Sequence, residues 1–381
     1  MTTLFLLAAV SFLAYVAVLT FGEKDQGMVR PENLRVVEQP RFYPVVDAHV
    51  HAAAEKDAFD LAVRAMDASG VALSMNLSGG SGKALAKSLA LAKKHRGRFL
   101  TFCGGWPMEF DFKSRQIGLK LAKMIRESHD MGAHGAGEIV KWALHNQINW
   151  DDPRLEPMWA TLEELLMPVN WHVADPSRYW MPETPFVMLE ADDYCKGHPL
   201  KHALLMQQDR VLEKFPKLVV IASHANWLND QIPHLIYRME RYRNYYFDLS
   251  AVCDEFGLNP RDFIALCKKY PDRIFFGTDA GYSRRAIKKH RGVANAVRNT
   301  KAFYLAHFLF LGTRQPMIPL AWSGAIGQHF IGYVNGFPRY ANDGVDLPDS
   351  VLRKIYYKNA EKLFGIKVAG WRPPKGFSYE L

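Results

Sequence analysis

The sequence of 381 residues is poor in cysteine and carries no dense run of one charge. Its four cysteines lie far apart without a C-x-x-C pair, which predicts buried thiols and excludes a zinc ribbon or a dense disulfide framework. The 48 lysines and arginines are spread among 39 acidic residues, giving a formal net charge of +9 without a nucleic-acid-binding motif. We therefore expect no nucleic-acid partner. The charge suits anionic lipid, an acidic substrate or simply a solvated surface.

Long apolar runs are also scarce, with one exception at the amino terminus. Residues 4–21 (LFLLAAVSFLAYVAVLTF) are 18 consecutive uncharged positions, near the lower limit for a helix that crosses a bilayer. A basic n-region and a good cleavage site are missing, which favours an uncleaved membrane anchor over a signal peptide. We expect residues 1–30 to be such a segment and a linker, and the chain to be membrane-anchored or exported. The flanking charges leave the orientation open, with the periplasmic side as one option.

From residue 43 onward, short apolar or β-branched runs alternate with longer stretches of helical periodicity, as in βα units around a parallel sheet. The eight strands predicted from this pattern are 43–48, 71–77, 99–103, 137–140, 167–173, 218–223, 246–249 and 274–277. Eight units close a barrel, so the predicted fold class is α/β, a (β/α)8 TIM barrel over residues 31–381 that follows an N-terminal hydrophobic helix.

An apolar and aromatic stretch at residues 302–340 follows the eighth strand and is broken by Pro316, Pro319 and several glycines. We interpret it as an insert in the barrel domain. A second membrane span is one reading, but the interruptions favour a lid over the barrel mouth or a patch in the membrane surface. The oligomeric state stays open, with a homo-oligomer as one option.

Polar residues gather at the carboxyl ends of the predicted strands, which form the catalytic face of such a barrel. His49 and His51 are separated by one residue, so on a strand both imidazoles lie on one face and can chelate one ion. His172 after strand five and Asp279 after strand eight complete the predicted metal ligands. This mixed set suits zinc, with manganese or iron(II) as alternatives, and leaves room for a water whose pKa falls towards neutrality.

His224 follows strand six and is predicted, with Asp279, to manage protons in catalysis. The alternatives are a fourth imidazole ligand in place of Asp279, or a structural histidine. Glu138 on strand four is a further candidate ligand that would bridge two metals. Lys141 is a candidate to bind an anionic substrate or, when carbamylated, a metal, although the two residues could also form a plain ion pair.

Three other residues lie just beyond strand ends and are candidates, with Lys141, for binding the substrate. They are Trp106, Trp142 and Arg178. Aromatic residues at a barrel rim are as often plain packing.

Eight motifs occur in the order DAHVH, GEIVKW, DDPRLEPMW, PVNWHVADP, IASHANW, YYFDLS, FFGTDAGY and IYYKNAEKLFG. They span about residues 40–366 and resemble the amidohydrolase-related family of metal-dependent barrels, which includes aminocarboxymuconate semialdehyde decarboxylase as well as hydratases, lactonases and other hydrolases. The resemblance implies a barrel of the metal-dependent hydrolase type, with His49 and His51 as strand-one ligands and His172 as the strand-five ligand. It also implies that Asp279 is the strand-eight carboxylate and His224 the catalytic histidine. Glu138 is a departure, because many single-metal members lack a carboxylate there.

Three functions are compatible with these residues. The leading hypothesis is metal-dependent hydrolysis of an ester, lactone or amide, and the first alternative is non-oxidative decarboxylation of an aromatic or dienoic acid. An inert membrane-tethered binding protein is the third, although buried imidazoles and carboxylates without a ligand would cost stability. The apolar stretch at 302–340 suggests a lipophilic or aromatic small-molecule substrate.

Overall fold

A computed structural model describes residues 31–104, 110–140, 148–180, 199–320, 328–334 and 337–381. The predicted hydrophobic segment at residues 1–30 lies outside the described residues. Within the described ranges, we find no helix with the length and apolar character needed to cross a membrane.

A parallel sheet forms the centre of the fold, and its strands follow one another in chain order. Numbered along the described chain, the strands of this sheet are β1 (Val45–Ala52), β2 (Val71–Asn76), β3 (Phe99–Cys103), β4 (Gly135–Val140), β5 (Val169–His172), β6 (Val220–Ala222), β7 (Tyr245–Asp248), β8 (Ile274–Phe275) and β9 (Ala280–Tyr282). The order in the sheet is β8-β7-β6-β5-β4-β3-β2-β1-β9, with parallel pairing throughout. A separate antiparallel hairpin pairs β10 (His329–Val334) with β11 (Phe337–Ala341).

Helices surround this sheet, and most of them lie between successive strands. The described helices are α1 (Lys56–Ser69), α2 (Gly82–Lys94), α3 (Ile117–Asp130), α4 (Glu156–Glu164), α5 (Lys201–Lys214), α6 (Ile232–Arg241), α7 (Pro260–Lys269), α8 (Arg284–Lys289), α9 (Val293–Gly312), α10 (Asp349–Arg353) and α11 (Asn359–Phe364). The alternation of strand and helix is that of a (β/α)8 barrel, as predicted.

β8 and β9 together form the eighth strand of the barrel, which closes the sheet between β7 and β1. β8 pairs with β7, and β9 pairs with β1. Between them, Ala48 donates its backbone N–H to Phe276 O at 2.8 Å, and Asp279 donates its N–H to His49 O at 2.8 Å. The eighth strand therefore runs beside β1, and its interruption at residues 276–279 places Asp279 at the barrel mouth.

The apolar composition of the strands follows from burial on both faces. β2 is buried at all six positions, and β3 at all five. In a closed parallel sheet one face meets the barrel interior and the other meets the helices, so the strands read as continuous apolar runs. Helices such as α1 are amphipathic instead. α1 turns one apolar side inward, and Gly70, directly after its last residue, has a φ of 78° that allows its N–H to bond Met66 O.

The strand predictions are close, with one informative error at β1. The predicted and observed bounds agree exactly for β3. β1 was predicted to end at Ala48, but it continues to Ala52 because Val50 pairs with both Asn76 and Ala280. His49 and His51 are thus part of the strand, in the extended conformation that their proposed chelation assumes. The three cysteines in the described ranges are free and buried, as predicted: Cys103, Cys253 and Cys267.

The stretch at residues 302–340 begins inside a long helix. Its first eleven positions are the carboxyl-terminal part of α9, where every residue from Ala302 to Leu311 is buried. α9 packs against α1 in the outer layer of the fold. The apolar character of this part is therefore explained by burial on all sides. The hairpin of β10 and β11 includes part of the remainder, and residues 321–327 and 335–336 lie outside the described ranges.

Candidate metal centre

β1 brings two imidazoles together near the carboxyl end of the barrel. His49 and His51 are two positions apart on the strand, and their ring centroids are 5.2 Å apart. Their Nε2 atoms lie 3.8 and 3.6 Å from Glu138 Oε2. The same two atoms lie 3.7 and 3.1 Å from Asp279 Oδ1. Four side chains from three parts of the chain therefore converge on one point.

Hydrogen bonds on the far side of each ring determine which nitrogen faces this point. His49 Nδ1 lies 3.0 Å from both Asp248 Oδ2 and Ser250 Oγ, and His51 Nδ1 lies 2.8 Å from Ser78 Oγ. Because Nδ1–H donates to these oxygens, Nε2 is the nitrogen that would bind a cation in place of a proton. His49 Nε2 is buried and has no hydrogen-bond partner among the described residues. A buried nitrogen of this kind is what a metal ion would satisfy.

β5 and the turn after β6 supply two further imidazoles. His172 Nδ1 lies 2.7 Å from Glu138 Oε1, while its Nε2 lies 3.3 Å from Asp175 Oδ1. His224 Nε2 lies 3.2 Å from the same oxygen of Glu138. On the other side of that ring, Nδ1–H donates to the backbone carbonyl of Ser250 at 2.9 Å. Both rings thus turn one nitrogen towards Glu138 and have the other fixed by an oxygen.

Glu138 occupies the centre of this arrangement and divides its two oxygens between the histidines. Oε1 faces His172 and His224, and Oε2 faces His49 and His51. Burial raises the pKa of Glu138, but the charges and hydrogen bonds of the surrounding imidazoles outweigh it and hold the pKa well below its usual range. The carboxylate is therefore ionised and available as a bridging ligand.

Asp279 is presented by the interruption between β8 and β9. Its φ of 63° lies in the left-handed region, and strain of this kind is often found at functional sites. Asp47 fixes the neighbouring backbone, because its carboxylate accepts from the N–H groups of Thr278 at 3.2 Å and His49 at 3.0 Å. Burial raises the pKa of Asp279, but the hydrogen bond from His51 and the charge of His49 lower it below the ordinary value.

Asp248, at the end of β7, orients both groups of histidines. Its Oδ2 faces His49 Nδ1 at 3.0 Å and accepts from Asn170 Nδ2 at 3.0 Å. Its Oδ1 accepts the backbone N–H of His224 at 3.0 Å and that of Ser250 at 3.2 Å. Burial raises the pKa of Asp248, yet the charge of His49 outweighs it and the net shift is downwards.

The donor atoms form overlapping groups that could each hold one ion. In each group the ligand atoms lie within 4.8 Å of one another, and the groups are His49, His51 and Glu138; Glu138, His172 and His224; and His49, His224 and Asp279. Imidazole nitrogens combined with carboxylate oxygens suit zinc, manganese or iron(II). The orphaned nitrogen of His49 and the mixed donor set both fit a divalent metal.

The structure brings together every metal-ligating and catalytic residue proposed from the sequence: His49, His51, Glu138, His172, His224 and Asp279. Three of the four substrate-binding candidates, Trp106, Lys141 and Trp142, lie outside the described residues. The backbone of the fourth, Arg178, lies in the short turn Ser177–Trp180, but its side chain is outside the described part.

The sequence gives no orienting role to the residues that hold these ligands in place. Asp248, the last residue of β7, and Asp175, three residues after β5, are nevertheless recognisable in the sequence as polar residues at strand ends. Ser78 and Ser250 carry no such signal, because small hydroxyl residues are common in loops.

The comparisons with known proteins agree with this geometry. A family model described as Amidohydrolase matches residues 46–366, whereas no curated protein matches the chain. An uncharacterised TIM-barrel protein from Bordetella bronchiseptica is similar in structure, with a TM-score of 0.51 and 18% identity over 84% of this chain and 98% of that one. At this identity the similarity shows a shared fold and nothing of the reaction.

Two decarboxylases of aromatic acids are also among the similar structures. A 2,6-dihydroxybenzoate decarboxylase from Rhizobium is 14% identical, with a TM-score of 0.44 over 85% of this chain and 99% of that one. A 5-carboxyvanillate decarboxylase from Novosphingobium aromaticivorans, solved with bound manganese, is 16% identical, with a TM-score of 0.47 over 85% and 97%.

Proposed function

Because the chain belongs to the amidohydrolase family and is an enzyme of that type, we propose that it hydrolyses an ester, lactone or amide with the help of two divalent ions. The observation that carries this proposal is the position of Glu138. Its two oxygens face two different pairs of histidines, which is the arrangement expected of a carboxylate shared between two metals.

Two sets of ligands would hold the ions. The β1 set consists of His49, His51, Asp279 and Glu138, and the β5/β6 set consists of Glu138, His172 and His224. Zinc is the ion we propose, with manganese or iron(II) as alternatives. A divalent ion bound there supplies Lewis acidity, which polarises a substrate oxygen and makes water a stronger nucleophile.

The residues of the chain contribute proton transfer and orientation. Asp279 is ionised, and its side chain is 21% exposed, so it can accept a proton from an attacking water at the mouth of the barrel. Asp248 keeps the ring of His49 in a fixed orientation, and Ser250 does the same for His224. Glu138, buried among the imidazoles, contributes charge to both sets.

Decarboxylation of an aromatic or dienoic acid is the second candidate, and one observation favours it. The indole of Trp227 is buried beside His224, with 5.3 Å between ring centroids and 39° between the planes. If the β1 set alone held an ion, the Nε2 of His224 would be free to deliver a proton to a carbon atom beside this aromatic wall. Experiment decides between the two reactions.

The deciding experiment replaces Glu138 by Gln and measures both metal and turnover. Because glutamine cannot supply two anionic oxygens, we expect two ions per chain in the parent and no more than one in E138Q, measured by mass spectrometry of purified protein. We also expect the parent to hydrolyse 4-nitrophenyl esters or simple lactones, with kcat falling at least about 100-fold in E138Q. Glu361, whose carboxylate accepts from Val368 N outside the site, gives the control E361Q.

The same three proteins, parent, E138Q and E361Q, are tested for decarboxylation with 2,6-dihydroxybenzoate and 5-carboxyvanillate, the acids named for two of the similar structures. One ion in both proteins together with release of carbon dioxide would overturn hydrolysis in favour of decarboxylation. Absence of metal from both proteins after incubation with zinc or manganese would overturn both reactions.

A further inference from the structure

The turn that follows β6 has an unusual backbone. His224, Ala225, Asn226 and Trp227 have φ values of 55°, 51°, 53° and 53°, so that four successive residues lie in the left-handed region. None of them is glycine, and residues with a Cβ adopt this region at a cost in free energy. A conformation of this kind persists only where the surrounding structure determines it. The contacts of the turn therefore show what holds His224 in place.

Asn226 anchors the middle of this turn to α5 and β7 directly, and to α6 through Gln208. It is fully buried, and its Nδ2 donates to Gln208 Oε1 on α5 at 2.8 Å and to Tyr245 Oη on β7 at 2.8 Å. Gln208 Oε1 also accepts from Arg238 Nη1 on α6 at 2.9 Å. We call these four side chains, Gln208, Asn226, Arg238 and Tyr245, the clasp.

The two ends of the turn are fixed as well. At the first end, His224 donates its backbone N–H to Asp248 Oδ1 at 3.0 Å. At the other end, the buried Lys201 donates its Nζ to Trp227 O and to Ser177 Oγ, the latter at 2.8 Å. The turn thus cannot relax at its ends, and the clasp is the contact that holds its centre.

We propose that Asn226 is a positioning residue that presents Nε2 of His224 to Glu138. The argument rests on the proposed function, because it takes His224 as part of the metal centre. Asn226 contributes in two separable ways. Asparagine tolerates the left-handed region better than most residues, and its amide supplies the two hydrogen bonds of the clasp. If only the backbone conformation mattered, glycine would serve equally well.

Replacing Asn226 by Gly tests the clasp, because glycine accepts the left-handed backbone but removes both hydrogen bonds. We expect N226G to fold, and to bind the ion of the β5/β6 set roughly 10–100-fold more weakly, as is typical when a residue that orients a ligand is lost. The ion of the β1 set should be unaffected. The measurement is titration of metal-free protein with Co²⁺, followed by visible absorption. Tyr245→Phe, which removes one of the two partners and keeps the ring, should give a smaller change in the same direction.

A merely structural role would produce a different pattern. Asn342 offers a matched control, since it is also fully buried and its Nδ2 donates to Asp254 O at 3.0 Å and to no residue of either ligand set. N342A should lower the unfolding temperature and leave Co²⁺ binding unchanged. Unchanged Co²⁺ binding in N226G would overturn the proposal.

A crystal structure of N226G separates this proposal from the proposed function. We expect the ring of His224 to leave its position beside Glu138, whether the parent protein binds two ions or one. If the parent protein binds only one ion, the two-ion function is refuted. The position of the His224 ring in the N226G structure still tests the clasp in that case. An unmoved ring with its Nε2 still at hydrogen-bonding distance from Glu138 would refute the clasp.

Discussion

The two ligand sets of the metal centre are built in different ways. In the β1 set, His49 and His51 stand on a continuous strand whose backbone pairs with both of its neighbours. In the β5/β6 set, His224 stands on a left-handed turn beyond the end of β6. The spacing of two histidines on a strand is a local property of the sequence. The direction of a left-handed turn is determined by partners from distant parts of the chain. The His49–His51 pair is therefore encoded locally, whereas the position of His224 is encoded by tertiary contacts.

The largest effect is expected from Asp248, a carboxylate outside both ligand sets that contacts a histidine of each. In D248N the negative charge is lost, and the NH2 group of the new amide faces either the ring Nδ1–H of His49 or the backbone N–H of His224, neither of which can accept a hydrogen bond. We expect affinity for both ions to fall roughly 10–100-fold, measured by equilibrium dialysis against zinc. Asp272, an exposed partner of Lys354, gives the control D272N, which should bind like the parent. Loss of one ion only would show that Asp248 serves a single set.

Removal of metal should distinguish the two sets. The β1 set offers four ligands and the β5/β6 set three, counting Glu138 in each. We therefore expect dialysis against increasing concentrations of a chelator to release the ions in two steps, the β5/β6 ion first. His172 belongs only to the second set, so H172A should lack the step that occurs at low chelator concentration. Release in a single step from the parent, or loss of the step at high chelator concentration in H172A, would contradict the expectation that the β1 set holds its ion more tightly.

A smaller effect confined to the β1 set is expected from Ser78. Its hydroxyl lies 2.8 Å from His51 Nδ1 and touches no other ligand in the contacts described above. A hydrogen bond of this type contributes about 1 kcal/mol, so S78A should weaken the β1 ion about fivefold and leave the other ion unchanged. Ser88, a buried serine on α2, provides the control S88A. Equal weakening of both ions would show that the sets are not independent.

The same contrast explains what the sequence could predict. The barrel strands were predictable because burial on both faces makes them apolar runs, as for β3. The ligand residues were predictable because polar side chains after such runs meet at one end of a parallel barrel. The predicted bound of β1 at Ala48 was too short, although the chelate proposed for His49 and His51 already assumes that the strand continues through them.

Other features depend on contacts that no local pattern contains. The left-handed turn at His224 is determined by Asn226 and its partners, which are spread over α5, α6 and β7. The carboxyl-terminal part of α9 is buried on all sides and is therefore apolar throughout. From the sequence alone, this apolar stretch was interpreted as a lid or as a patch in the membrane surface. In both cases the information lies in which elements pack together, and a single sequence does not reveal this.

A buried histidine outside both sets gives the smallest expected effect on the centre. His307 on α9 is buried beside Phe303 and Phe276, and its Nδ1–H donates to Phe303 O at 2.8 Å. Burial, which no carboxylate among the described residues offsets, lowers its pKa from 6.5 to about 4. The unfolded chain therefore takes up a proton near pH 6.5, whereas the folded chain does so only near pH 4. The stability is complete above pH 6.5 and decreases as the pH falls towards 4.

His307→Leu removes this proton linkage while keeping an apolar side chain of similar size. The shift from 6.5 to about 4 corresponds to about 3 kcal/mol, so the free energy of unfolding of the parent should fall by up to that amount between pH 7.5 and 4 relative to H307L. Urea titrations at several pH values measure this difference, and H129Q on the exposed side of α3 is the control. Zinc binding at neutral pH should be unchanged in H307L, because only imidazoles that face carboxylates belong to the centre. If the free energies of unfolding of parent and H307L change with pH in the same way, the folded protein accommodates a charged His307. Burial alone would then not explain why His307 differs from the histidines of the metal centre.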